Sequence, residues 1–247
     1  MVTNPTLSVL IRSYNALERI DTCIRSVYTQ QILPPDKIYI CDDYSIDGTW
    51  ELLQSLYGKD ERVVLLRNDY NRGPGYTMKR AIMACNTDYY MLIDDDDIWN
   101  ATDVIQRVKR DIVSNDFPDK IYYRANDVCN WRLHSIFAYK TKKMQQLTYF
   151  SLWCNDDDYT LQTLRPSFVE VIYDDYIFIP PYVGHGISRL HPSRVYRYLQ
   201  LICKNIYLGK IQLAAQMYKQ FPFLDECTEQ DKTIYDELTQ YFNKLDY

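Results

Sequence analysis

Apolar runs and amphipathic segments alternate along the first hundred residues. Four runs have the length and composition of buried strands, and they cover residues 6–11, 37–41, 62–66 and 89–93. Between these runs, apolar residues recur at three- and four-residue intervals, which is the period of a helix that packs on one face. Asn15 is placed to cap the first of these helices. The alternation predicts an α/β fold with a doubly wound, mostly parallel sheet.

The regular alternation stops after Asp97. The elements predicted beyond it are a helix over 102–113, short strands over 121–124 and 135–139, a β-rich segment over 169–179, and helices from Val195 onward. We therefore divide the chain into a regular half (1–100), a mixed segment (101–191) and a helical C-terminal extension (192–247). The apolar stripes of the extension could complete the core, form a homodimer or dock a partner.

Four consecutive carboxylates, residues 94–97, follow the fourth predicted strand, and Asp42 and Asp43 follow the second. In a doubly wound sheet the carboxyl ends of the strands lie at one edge, where ligands bind, so we expect the two acidic groups to converge there. Like charges repel each other, and a divalent cation is the simplest counter-charge. Carboxylate oxygens suit Mg²⁺ or Mn²⁺. The alternative is a solvated acidic turn that holds no metal.

Composition limits the classes of protein that fit this pattern. The net charge of −5 lacks the basic excess typical of nucleic-acid binding, which disfavours a nucleic-acid partner without excluding one. No apolar run approaches the roughly 20 residues of a transmembrane helix, and the N-terminus does not resemble a signal peptide. Seven single cysteines without a CxxC pair argue against a zinc site and fit a reducing compartment. We expect a cytoplasmic protein, with peripheral membrane association left open.

Four stretches of the first half follow a known pattern, and they are residues 8–15, 40–49, 68–75 and 90–99. In this order and spacing they resemble the family 2 glycosyltransferases, which have the GT-A fold. The resemblance implies that residues 1–100 bind a nucleotide-sugar donor and that residues 101–191 form the acceptor side of the same domain. It further implies transfer of the sugar, usually with inversion, to a hydroxyl of a glycan or another acceptor. The implied cofactor is Mn²⁺ or Mg²⁺.

The resemblance also assigns roles to individual residues of the donor site. Ser13 and Tyr14 would line the nucleotide pocket, and Asp43 would hydrogen-bond the base, with UDP as the expected carrier and GDP or dTDP as alternatives. Arg72 would lie close to the phosphates or the donor sugar. In the acidic run, Asp94 would contact the ribose or the donor sugar, and Asp95 would also belong to the donor-binding residues. Asp96 would bind the metal directly, and Asp97 would support it.

Inverting transfer needs a general base on the acceptor side. The resemblance places this base in the run 156–158, with Asp158 preferred, Asp157 next, and Asp156 still a candidate. A helix N-cap is the alternative role for all three aspartates. In a later loop, His185 and Arg189 would clamp the diphosphate, and His185 could also touch the metal. A loop histidine without a chemical role is the alternative there.

Two other functions share parts of this pattern. A nucleotidyltransferase of similar fold would also need carboxylates and a metal, but it usually has a glycine-rich, basic loop after the first strand. Residues 12–15 do not form such a loop. The second alternative is a module that binds metal or nucleotide without catalysis, since a fold does not prove turnover.

Overall fold

The computed structural model describes residues 4–125, 136–146, 168–173, 178–179 and 194–245. The strands within these residues are β1 Leu7–Ser13, β2 Lys37–Asp42, β3 Val63–Arg67, β4 Tyr89–Asp94, β5 Ile98–Trp99, β6 Lys120–Ala125, β7 Ile136–Lys140, β8 Phe168–Tyr173 and β9 Phe178–Ile179. The helices are α1 Ile20–Val27, α2 Thr49–Tyr57, α3 Pro74–Ala84, α4 Val104–Ser114, α5 Thr141–Gln145, α6 Arg194–Tyr207, α7 Ile211–Lys219 and α8 Glu229–Lys244.

Seven strands form one mixed sheet in the order β3-β2-β1-β4-β7-β6-β8, and β5 pairs with β9 in a separate two-stranded ribbon. β1 pairs in parallel with both β2 and β4, whereas β7 runs antiparallel to both of its neighbours. The strand order therefore reverses between β1 and β4, which is the position where such sheets bind ligands. This topology confirms the predicted doubly wound, mostly parallel sheet.

Each face of the sheet has its own apolar core. Leu7, Val9 and Ile11 of β1 pack in one cluster with side chains of α1 and α4, while Leu10 packs in a second cluster with Met78 of α3. Side chains of a strand alternate between the two faces of the sheet. Because helices cover both faces, the consecutive residues Val9, Leu10 and Ile11 of β1 are all apolar, which explains the continuous apolar run in the sequence.

Glycines with positive φ precede two helices at the carboxyl edge of the sheet. Gly48 has a φ of 97° and precedes α2, and the Asp47 carboxylate accepts the Thr49 amide at 3.0 Å. Gly73 has a φ of 87° and precedes α3. The first residue of α3 is Pro74, whose fixed φ suits a helix start and which has no amide hydrogen to satisfy. These turns shape the loops that follow β2 and β3.

One detail of the predicted helices is wrong, and one helix was not distinguished from its neighbours. Asn15 does not cap α1, because α1 begins at Ile20; the φ of Asn15 is 47° and its side-chain oxygen accepts the Ile46 amide at 3.0 Å. The apolar pattern also did not distinguish α7 as a separate helix. The buried residues of α7 are Ala214 and Ala215, and these small side chains give a weak apolar signal.

The helical C-terminal region predicted from the sequence is present. α6, α7 and α8 pack around an apolar cluster of their own. Thr228 caps α8 in a capping box: its hydroxyl accepts the Asp231 amide at 3.1 Å, and the Asp231 carboxylate accepts the Thr228 amide at 3.0 Å. In the described part of the chain, every helix is too short or too polar to cross a bilayer.

Candidate active site

The acidic run forms a tight turn directly after β4. The Asp97 amide donates to the Asp94 carbonyl oxygen at 3.1 Å, which closes the turn. Among the described residues, the three aspartates Asp94, Asp96 and Asp97 are the one set of acidic side chains that could hold a metal ion. One carboxylate oxygen from each lies within 4.8 Å of the other two. We call residues 94–97 the acidic turn. It lies at the point where the strand order reverses, as the topology rule predicts.

Two arginines supply part of the counter-charge that the sequence pattern assigned to a metal alone. Arg12 lies opposite Asp94 in the parallel β1–β4 pair and donates two hydrogen bonds to its carboxylate, at 2.6 and 3.3 Å. Arg19 donates to the Asp95 carboxylate at 3.2 and 3.1 Å. These pairs neutralise two of the four negative charges, and they leave Asp96 and Asp97 as the carboxylates best placed for a cation.

The electrostatics of the acidic turn differ from one carboxylate to the next. Burial alone would raise the pKa of Asp94, but the charge and hydrogen bonds of Arg12 outweigh burial and lower that pKa below its ordinary value. Burial raises the pKa of Asp97 to about 7, and the charges of Asp94 and Asp96 act in the same direction. Burial also raises the pKa of Asp95 to about 6 despite the Tyr14 amide and Arg19. The surroundings of Asp97 therefore do not fully balance its negative charge.

These residues fit a hard divalent cation. Carboxylate oxygens are the ligands that Mg²⁺ and Mn²⁺ prefer, and such ions often use one or two protein carboxylates together with phosphate oxygens of a substrate. Asp96 and Asp97 meet that requirement at the carboxyl edge of the sheet. A cation bound there would also offset the burial and the repulsion by Asp94 and Asp96 that together raise the pKa of Asp97.

The loop after β1 lies beside the acidic turn. The Tyr14 amide donates to Asp95 at 3.0 Å, so this loop and the turn are joined directly. Ser13 is buried, and within the described residues its hydroxyl oxygen has no hydrogen-bond partner. Buried polar atoms are normally hydrogen-bonded. An orphaned hydroxyl at this edge is a position where a bound polar ligand would satisfy it.

Asp43 is buried at the end of β2 and accepts three hydrogen bonds from the segment that follows β3. The donors are the Asn68 side chain at 2.8 Å, the Arg72 amide at 2.7 Å and the Gly73 amide at 2.8 Å. Burial raises the pKa of Asp43, while these hydrogen bonds act against it. The Thr77 side chain acts in the same direction as these hydrogen bonds, so the Asp43 carboxylate is held from several sides, and its contact with the base of a donor stays a prediction. We call residues 68–73 the donor loop.

The neighbouring Asp42 has a structural role instead. Its carboxylate is fully buried, accepts the Ser45 amide at 3.0 Å and lies 3.4 Å from Arg67 Nε. Burial raises the pKa of Asp42, and its hydrogen bonds with Ser45 oppose this. Of the two aspartates at the end of β2, Asp43 is therefore the one that remains a candidate for ligand contact.

The side chain of Arg72 is held within the donor loop. Its guanidinium pairs with the Asp69 carboxylate at 2.7 and 2.9 Å and lies over the rings of Tyr70 and Tyr76, at 4.3 and 4.6 Å from their centroids. The pair with Asp69 raises the pKa of Arg72. Because its amide donates to Asp43, Arg72 lies at the site, and contact of its guanidinium with a phosphate stays a prediction.

Comparison with known proteins decides the family. A model of glycosyl transferase family 2 matches residues 8–168, which is more than half of the chain and includes the acidic turn and the donor loop. The chain belongs to glycosyl transferase family 2. Its resemblance to that family, inferred from four short stretches, is confirmed.

Individual relatives and solved structures are similar to this family member in sequence and in fold. It is 28% identical over 102 residues to the Escherichia coli UDP-Glc:alpha-D-GlcNAc-diphosphoundecaprenol beta-1,3-glucosyltransferase WfaP, a match that spans 41% of this chain and 39% of that enzyme. Residues 1–349 of S. aureus TarS in complex with UDP-GlcNAc have a TM-score of 0.64 at 15% identity, over 96% of this chain and 73% of that TarS segment. The Pyrobaculum calidifontis mannosyltransferase PcManGT in complex with GDP-Man and Mn²⁺ has a TM-score of 0.61 at 16% identity, over 96% and 75%. The fold is therefore that of the GT-A glycosyltransferases.

The acceptor side of this glycosyl transferase family 2 protein is described in part. The base candidates Asp156, Asp157 and Asp158 lie outside the described residues, as do His185 and Arg189. Their roles stay predictions that rest on the family pattern.

Sequence reasoning missed the two arginines at the acidic turn. Arg12 could have been identified from the alignment of β1 with β4, which sets it opposite Asp94, but that register becomes known only from the folded sheet. Arg19 reaches Asp95 from the turn before α1, and its position along the chain gives no comparable signal.

Proposed function

We propose that this chain is a metal-dependent, inverting glycosyltransferase that moves a sugar from a nucleotide diphosphate donor to an acceptor hydroxyl. The observation that carries the proposal is the group of Asp94, Asp96 and Asp97 at the reversal of strand order, beside the buried, unpartnered hydroxyl of Ser13. UDP is the first carrier to test, because WfaP is named for UDP-Glc and TarS binds UDP-GlcNAc. GDP is the second, because PcManGT binds GDP-Man.

Each part of the donor has a proposed position. The base lies against Tyr14 and meets the Asp43 carboxylate. The ribose or donor sugar meets Asp94, whose carboxylate Arg12 holds ionised and oriented. Asp96 and Asp97 hold Mn²⁺ or Mg²⁺, and a cation there supplies positive charge to the diphosphate as it leaves. Ser13 donates its free hydroxyl hydrogen to the bound donor.

The acceptor side completes the reaction. A base opposite the leaving group removes the proton of the acceptor hydroxyl as the new glycosidic bond forms, and Asp158 is the proposed base, with Asp157 as the alternative. The acceptor class to test first is a sugar linked to a lipid diphosphate, since WfaP is named for such an acceptor. His185 and Arg189 are proposed to close over the diphosphate.

Turnover of nucleotide sugars tests this function. UDP-, GDP-, dTDP- and CDP-sugars are incubated with the protein and Mn²⁺, with and without lipid-diphosphate acceptors, and the released nucleotide diphosphate is quantified. We expect release from one carrier, loss of release with chelator and in Asp96→Ala, and a strong decrease in Asp158→Asn. Asp88→Asn is the matched control. Asp88 lies just before β4, at the edge of the sheet opposite to the acidic turn, where it exchanges hydrogen bonds with Thr6. A folded wild type that neither releases nor binds any nucleotide diphosphate would contradict the proposal.

A further inference from the structure

The three C-terminal helices form a unit with its own core. Side chains such as Leu199, Ile202 and Leu238 make up an apolar cluster that is separate from the two clusters of the sheet. The expectation that this extension completes the main core is therefore not what the packing shows. Three polar contacts between described residues join this unit to the α/β half, and all three lie on one helix face.

That face belongs to α8 and carries residues 230, 233 and 237, which are spaced by three and four and so lie on the same side of the helix. Two of its contacts go to the donor loop and one goes to α3. These are the hydrogen bond from Gln230 Nε2 to Asn71 Oδ1 at 2.6 Å, the contact of the Tyr70 hydroxyl with Thr233 Oγ1 at 3.3 Å, and the ion pair of Lys79 Nζ with Glu237 Oε1 at 2.7 Å.

The donor loop joins α8 to Asp43. On one side, the loop gives its Asn68 side chain and the amides of residues 72 and 73 to the Asp43 carboxylate. On the other, Asn71 Oδ1 accepts both the Gln230 side chain and the Gly73 amide, the latter at 3.2 Å. A continuous set of hydrogen bonds therefore leads from Gln230 through Asn71 and Gly73 to Asp43.

We propose that α8 holds the donor loop in place and thereby positions Asp43 for the base of the nucleotide donor. The inference rests on the proposed function, in which Asp43 meets the base. Asp43 is buried and its carboxylate is oriented by the donors of this loop, so the geometry offered to the base depends on where the loop sits. Fixing a loop before the ligand arrives lowers the ordering cost of binding. Gln230 and Thr233 are thus positioning residues, and the C-terminal unit is part of the donor site.

Paired variants test this role. Tyr70→Phe combined with Gln230→Ala removes both contacts between α8 and the donor loop, and it keeps the Tyr70 ring under Arg72. Lys79→Met is the matched control, because it removes a contact of the same helix face that does not involve the loop. Calorimetry measures the Kd of UDP and, separately, of inorganic pyrophosphate, each with Mn²⁺, and thermal unfolding is recorded for every variant.

The double variant is expected to raise the Kd of UDP by about three- to tenfold, the effect of one or two hydrogen bonds. Its Kd for pyrophosphate should stay within about twofold of wild type, because pyrophosphate has no base to meet Asp43. Lys79→Met should leave both constants within about twofold. An unchanged Kd for UDP in the double variant would overturn the inference, and so would an equal loss for pyrophosphate or in the control. If the wild type binds pyrophosphate but none of UDP, GDP, dTDP and CDP, the proposed function itself fails and this inference fails with it.

Discussion

Asp97→Asn should stabilise the metal-free protein, although Asp97 is proposed to bind the metal. Burial and the charges of Asp94 and Asp96 raise the pKa of Asp97 from 3.8 to about 7. Between about pH 4 and pH 7 the folded protein keeps a proton that the unfolded chain has released. The free energy of unfolding therefore falls as the pH rises through this range. Asparagine cannot ionise, so the variant avoids this loss.

The magnitude follows from the two pKa values. The difference between 3.8 and about 7 converts to about 4 kcal/mol at high pH, at roughly 1.36 kcal/mol for each pH unit. Asp97 is partly exposed, and solvent screening reduces such a penalty, so we expect about 2 kcal/mol near pH 8. At pH 5 the gain should be less than half of that. For a chain of this size, about 2 kcal/mol corresponds to a rise in Tm of roughly 4–8 °C.

Thermal unfolding in the presence of chelator measures this effect for wild type and Asp97→Asn at pH 5 and pH 8. Asp47→Asn is the control, and its effect on stability should be opposite. Burial opposes ionisation of Asp47, but hydrogen bonds led by that of Thr49 outweigh burial and lower the pKa of Asp47. This variant should therefore lose stability near pH 8. Saturating Mn²⁺ should stabilise the wild type more than Asp97→Asn. A lower Tm for Asp97→Asn near pH 8 without metal, or an equal gain at both pH values, would refute the electrostatic reasoning.

Three further variants test other parts of the account. Arg12→Met removes a positive charge that competes with a cation for Asp94. The affinity for Mn²⁺ alone, measured by EPR, should therefore increase by about three- to tenfold. A decrease would show instead that Arg12 is needed to shape the turn. Gly73→Ala places a side chain at a backbone φ of 87°. The variant should lose about 1–3 kcal/mol of the free energy of unfolding, measured by chemical denaturation, and should bind UDP more weakly. No change in either quantity would mean that the turn relaxes. Thr228→Ala removes the cap of α8 and should cost about 1 kcal/mol. The comparison is Gln240→Ala, at an exposed position inside the same helix, and equal losses would argue against the cap.

The first half of the fold could be predicted because each signal there is local. The continuous apolar run of β1 follows from a strand buried on both faces, and the strand–helix alternation is enough to define a doubly wound sheet. In such a sheet the carboxyl ends of the parallel strands lie at one edge, so the acidic turn and Asp43 could be predicted to lie at the same edge before any distance was known. The grouping of Asp94, Asp96 and Asp97, which could hold a metal ion, agrees with that expectation.

The remaining features depend on tertiary register or on competition between local and distant partners. Arg12 meets Asp94 because β1 and β4 align at those residues, and no spacing along the chain reveals that alignment. Asn15 has the side chain of a helix cap, but it binds the Ile46 amide across the edge of the sheet instead. The contact of Gln230 with the donor loop joins residues 159 positions apart, so it becomes visible only after folding.

The central claim is that the acidic turn holds a divalent cation that also contacts the diphosphate of the donor. EPR spectroscopy of Mn²⁺ with the protein and UDP tests it directly, because hyperfine coupling to phosphorus reports phosphate oxygens on the bound ion. We predict that the wild type shows protein-bound Mn²⁺ with phosphorus coupling and that Asp96→Ala loses the bound signal. Mn²⁺ that binds without phosphorus coupling, or that binds equally well to Asp96→Ala, would contradict the account.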